Sequence, residues 1–185
     1  MDINEQSHDG NTPLHLLCKS VLHNDVQQKI RIIEKLLDGP GDLEVNAKNN
    51  EDCRPIFFAC LACEVDLLSF LVEKCKADLS CKSCDGLNLL HVILEKKDET
   101  SANLIPEKTM KSKQEKCFKY LLNECHAEFL VHERDDRGLL PYQIAIISRL
   151  ENIALELLSL ATNEEILEPA GSYTSLSIGK KHALK

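Results

Sequence analysis

The sequence predicts an all-α fold, a solenoid of stacked helix-turn-helix units with extended loops between the units. Three observations carry that prediction. The first is self-similarity, the mark of repeat architectures. "DGNTPLHLLC" from Asp9, "EDCRPIFFAC" from Glu51, "DGLNLLHVIL" from Asp85 and "RGLLPYQIAI" from Arg137 each run from a polar turn into apolar residues at helical spacing. The second is a further amphipathic stretch behind each copy: "IIEKLL" from Ile32, "LLSFLV" from Leu67, "CFKYLL" from Cys117 and "IALELL" from Ile153. The third is composition. With no Trp, three Tyr and five Phe among 185 residues, the core must come from Leu, Ile, Val, Ala and Cys, which suits close helix packing better than a β-sandwich.

In chain order, "DINEQSHD" before the first copy matches "EVNAKNNE" before the second, so residues 2–8 read as the closing half of a preceding unit. Thr12 can cap the first helix and Pro13 suits its first turn, where a missing N–H costs nothing. His15, near that N-terminus, is placed to hydrogen-bond the neighbouring turn, and His91 takes the same role in the third copy. Gly10, Gly86 and Gly138 suit a turn that needs positive φ, and Asp52 replaces glycine in the second copy.

"DGNTPLHLL" with the later "VNAKN" is similar to the ankyrin repeat, whose unit carries Thr-Pro-Leu-His at its first helix. The second copy keeps Pro55 but has Arg54 and Phe57 for Thr and His. The third keeps Leu90 and His91 but has Asn88 and Leu89 for Thr-Pro, and the fourth keeps Pro141 and has Gln143 for His. The resemblance covers residues 2–162 and implies repeats at 9–50, 51–84, 85–136 and 137–162. Residues 163–185 are left as a C-terminal cap and flexible tail.

The copies start 42, 34 and 52 residues apart, against a family period of about 33. The extra residues of the first copy fall around Val21–Gln27 and in Gly39–Gly41. Those of the third fall within Lys97–Gln114, between its helices. Loops absorb such inserts at little cost, because closure entropy grows slowly with length. The second insert is polar and Lys-rich, so it is expected to be mobile or partly helical, with Thr100, Ser101, Thr109 and Ser112 as phosphorylatable hydroxyls.

Cys60-x2-Cys63 and Cys81-x2-Cys84 have the spacing of a four-cysteine zinc site. The repeat reading separates them. Cys60 and Cys63 fall on a first helix and its end, Cys81 and Cys84 in the loop leading to the next unit. Zinc needs all four sulfurs at about 2.3 Å from one ion, so no metal and no cofactor are expected. Cys75 ends a second helix, within possible reach of Cys81 or Cys84, which leaves a redox-sensitive pair as an alternative. Cys18, Cys60 and Cys117 read as small buried hydrophobes. Nine cysteines without a signal peptide suggest a reducing compartment, cytoplasmic or nuclear.

Net charge of −8 argues against nucleic acid or an anionic membrane as partner. No apolar run is long enough to span a bilayer. No P-loop, nucleophile elbow, dinucleotide fingerprint or HExxH is present, so the expectation is a non-enzymatic, monomeric protein-interaction module. In the ankyrin family partners bind loop tips and first helices. Carried over by alignment, the binding positions are Gln6, His8 and Asn11; Lys48, Asn50 and Cys53; Lys82, Cys84 and Leu87; and Arg134, Asp136 and Leu139. Lys19, Leu61, Glu95 and Ser148 are their helical neighbours. Lys48, Lys82 and Arg134 recur at one slot, a stripe that would favour a protein or extended peptide with acidic and apolar features. The irregular, insert-bearing repeats in an acidic chain also resemble those of the inhibitor-of-NF-κB group, which makes an inhibitor of a transcription factor one alternative. An adaptor or regulatory segment of a larger channel, ubiquitin-ligase or effector protein is the other alternative.

Overall fold

The computed structural model describes residues 2–20, 26–95 and 107–161. The cap and tail expected over 163–185, Thr100 and Ser101 lie outside the described residues, as do parts of both inserts. Among the described residues there is no strand. The helices are α1 (Pro13–Lys19), α2 (Val26–Leu37), α3 (Pro55–Ala62), α4 (Val65–Glu73), α5 (Leu89–Leu94), α6 (Glu107–Lys119), α7 (Pro141–Ile147) and α8 (Glu151–Leu160). α6 runs on into a π-helical turn, Tyr120–Glu124, and a 3-10 turn comes next at Glu128–His132.

The helices form two rows. α1, α3, α5 and α7 pack in succession, as do α2, α4 and α6, and the helices of each pair pack on one another. The core between the rows is small and aliphatic, as the composition requires. Leu14, Ile56 and Leu90, at the second position of the first three front-row helices, are all but inaccessible. Cys18, Cys60 and Leu94 share a later slot, and each is 0% exposed. Ile146 stands at that slot in α7, the last described helix of the row, and is 54% exposed.

Local chemistry sets where the front-row helices begin. Thr12 caps α1 in a reciprocal box with His15, and Asn88 does the same for α5 with His91. Arg54, at the cap of α3, makes no side-chain cap; its guanidinium pairs instead with Asp78. α7 starts at Pro141, and the Gln143 Oε1 accepts the Leu140 N–H at 2.8 Å.

The 97–114 insert is helical over its described part. α6 begins at Glu107, nearly three turns before Cys117, where the sequence places the second helix. Met110, Cys117, Phe118, Leu121 and Leu122 keep helical spacing and pack in or against the core. Gln114 is buried and donates from Nε2 to the Ile93 carbonyl at 2.7 Å, satisfying an acceptor at the end of α5. Thr109 and Ser112 lie exposed on this helix. No helix among the described residues is long and apolar enough to cross a membrane.

Candidate protein-binding face

One hydrogen-bond pattern builds the turn before each front-row helix, and it occurs four times. Ser7, Asn49, Ser83 and Asp135 each donate a backbone N–H to the carbonyl four residues on, at Asn11, Cys53, Leu87 and Leu139. The side-chain oxygen of each accepts the N–H of that same residue. A short polar side chain closes the turn from inside, which is why Ser, Asn and Asp fill the slot. The residue three along, Gly10, Asp52, Gly86 or Gly138, has positive φ.

Successive turns are then stitched together. Asn50 N–H donates to the Asp9 carbonyl, Cys84 to Glu51 and Asp136 to Asp85, at 2.9–3.1 Å. His15 reaches from α1 to the Cys53 carbonyl at 3.0 Å, and His91 from α5 to Leu139 at 2.9 Å. A carbonyl only accepts, so Nε2 carries the proton in both. Nδ1 is then free to accept the N–H of Thr12 or Asn88. Burial lowers both imidazole pKa values below the ordinary histidine value, which favours the neutral ring. In the second unit Phe57 fills the slot, so that link is absent there.

The turn tips and the front-row helices thus make one continuous face. Of the positions expected to bind, Gln6, His8, Lys48, Asn50, Lys82 and Asp136 are exposed on it. Gln6 spends its amide on the Lys48 carbonyl, and Asn50 on that of His8. Asn11 and Leu139 are buried, Asn11 holding the Asn49 amide at 2.9 Å. Counting from the first helical residue, Ile147 and not Ser148 stands level with Lys19, Leu61 and Glu95. It is 64% exposed.

The cation stripe is engaged internally. Lys48 pairs with Asp52 at 3.0 Å and Lys82 with Glu133 at 3.4 Å, while Arg134 donates to the Gly138 carbonyl at 2.9 Å. Between α3 and α5 the face opens instead into a groove of about 240 Å³. Phe57, Leu61, Leu87 and Val92 line it together with Cys53 and Cys84, and Glu51, Asp85 and Glu95 stand at its rim. Among the described residues, no Lys, Arg or His lines it. Glu95 is shared with Arg137 at 3.2 Å. The Glu51 and Asp85 side chains, both exposed, have no ion-pair or hydrogen-bond partner among the described residues. The sequence points to Leu61 and Leu87 as part of this face. It marks Glu51 and Asp85 only as turn residues, because nothing in a sequence distinguishes a free rim carboxylate from a paired one.

The cysteines take separate places. Cys60 and Cys63 are buried at the end of α3 against Cys117, whose thiol exchanges a hydrogen bond with Cys63. Cys81 is buried beside Arg54 and Asp78, and Cys84 is exposed on the groove. Cys53 interacts electrostatically with Cys84 and Cys81, and Cys18 with Cys75. Burial, reinforced by Glu51 and Asp85, pushes the Cys53 pKa up to about 11. Among the described residues no group of three or more His, Cys, Asp or Glu is placed to hold a metal ion.

Comparison with known proteins agrees with this geometry. A family model described as Ankyrin repeat matches residues 9–50, which hold the first turn, α1, α2 and the loop to the second turn. No curated protein matches the chain.

Proposed function

Since residues 9–50 match the ankyrin repeat family, whose repeats generally mediate protein–protein interactions, we propose that the chain is a non-catalytic module binding a partner protein or extended peptide on its turn tips and front-row helices. The units that begin at Glu51, Asp85 and Arg137 are taken as further repeats of the same kind. The turn bonds of the matched unit recur in each of them.

The observation that carries the reading is the apolar groove opening on that face, with Leu61 45% exposed beside it. At about 240 Å³ it is smaller than the roughly 300–1,000 Å³ of small-molecule sites. It suits side chains projecting from an extended segment. The apolar half of the expected partner chemistry is kept. The acidic half loses its support, because each cation of the stripe already has a partner within the chain.

The test is a selection of random twelve-residue peptides displayed on phage against the whole 185-residue chain. Selected peptides are then titrated against Leu61→Asp and against Phe129→Asp, which is exposed on the 3-10 turn. The reading expects Leu61→Asp to weaken binding at least tenfold and Phe129→Asp to leave it unchanged. Equal effects from both, or from neither, would reject it.

A further inference from the structure

The groove between α3 and α5 carries more than a generic apolar contact. Its floor is apolar, its rim holds three carboxylates, and no described cation lines it. Two of those carboxylates, Glu51 and Asp85, belong to turns stitched together by the Cys84 and Asp136 bonds. The Cys84 N–H to Glu51 carbonyl bond joins the two turns directly and holds their backbones side by side. Two cations of the same face are already committed: Arg137 to Glu95 and Asp135, and Lys19 over the Phe58 ring with Nζ 5.5 Å from its centroid.

We infer that this groove recognises an extended peptide segment in which a Lys or Arg lies within a few residues of a large apolar side chain. The apolar group would occupy the floor formed by Phe57, Leu61, Leu87 and Val92, and the cation would reach the rim at Glu51 and Asp85. This rests on the binding face proposed above and specifies its ligand. Charge complementarity commits the choice: a segment carrying Asp or Glu would meet uncompensated carboxylates of like charge. The two thiols at the groove report the same field. Cys53 and Cys84 both have raised pKa values, each owing first to desolvation and then to nearby acids that include Glu51 and Asp85.

The experiment uses the same phage-displayed library and the full chain. Sequences enriched on the wild-type protein are expected to pair a basic residue with Leu, Ile, Met or Phe. Glu51→Lys/Asp85→Lys is expected to weaken their binding more than tenfold. Glu51→Gln/Asp85→Asn should weaken it about fivefold, the range of a pair of exposed ion contacts. Raising salt should weaken wild-type binding and scarcely affect the neutralised variant. Both sites are exposed turn positions, and an unchanged far-ultraviolet circular dichroism spectrum establishes that the variants fold. Enrichment of acidic or purely apolar sequences, enrichment of none, or indifference to both double variants would overturn the inference. If Leu61→Asp alone abolishes binding, the face stands and only its charge preference falls. If no groove variant matters, both readings fall together.

Discussion

His15 and Cys53 sit in adjacent helical units and are joined by a single 3.0 Å hydrogen bond from the imidazole Nε2 to the carbonyl oxygen. The same ring closes the cap of its own helix through Nδ1. One side chain therefore fixes both the start of α1 and its distance from the next turn. His91 does the same toward Leu139. Replacing either by Leu removes one of the two donors to that carbonyl and leaves the Thr12 or Asn88 N–H without its Nδ1 acceptor, at a cost of about 2–3 kcal/mol. For a domain of this size that lowers Tm by roughly 5–10 °C, which a thermal melt monitored by circular dichroism will show.

Stability should fall with acid. Burial depresses the pKa of both histidines, so the unfolded chain binds protons near the ordinary value of about 6.5 while the folded chain does not. The contribution is fully present above that pH and is lost as pH drops below it, at up to ~1.4 kcal/mol per pH unit for each histidine. Urea melts at pH 7.5 and 5.5 measure it. His15→Gln/His91→Gln, which installs the residue found at position 143, should flatten the difference.

Lys29 and Glu64 form a bidentate pair at 2.8 and 3.0 Å between α2 and the start of α4, with the lysine all but buried. Breaking one side strands a buried charge. Glu64→Gln should cost about 3 kcal/mol, whereas Lys29→Met/Glu64→Leu should come close to neutral. Chemical denaturation of the two variants separates these outcomes.

Gly86 and Gly138 have nearly the same φ, +71° and +77°, but different neighbours. A methyl group on Gly86 would lie 3.0 Å from the Asp136 nitrogen and closer still to its carboxylate, while one on Gly138 meets nothing within 4 Å. Gly138→Ala should cost about 1 kcal/mol of backbone strain. Gly86→Ala should cost clearly more, because it also pushes against the next turn tip. Comparing their denaturation midpoints isolates the stacking of the turns from φ strain.

Much of the front row is legible in the sequence, since its signals are local. Thr12, Pro13, Pro55 and Pro141 mark helix starts, and the histidine slot needs only its own turn and the next. The buried slot of Cys18, Cys60 and Leu94 is likewise visible as an apolar position in each copy. The features that escape the sequence depend on long-range pairing. The polar stretch Glu107–Gln114 reads only as mobile or partly helical until Ile93 is seen to accept a bond from Gln114. Lys48, Lys82 and Arg134 look like a free basic stripe until Asp52, Glu133 and Gly138 are placed beside them. Regular spacing reveals slots, but whether a charge in a slot is available depends on residues 4 to 51 positions away.

Amide chemical-shift mapping on the isotope-labelled chain tests the central claim most directly. On titration with a selected basic-apolar peptide, the account predicts that the largest shifts fall on Glu51, Cys53, Leu61, Cys84, Leu87 and Glu95. Shifts concentrated on α2, α4 and α8, with those six residues still, would contradict it.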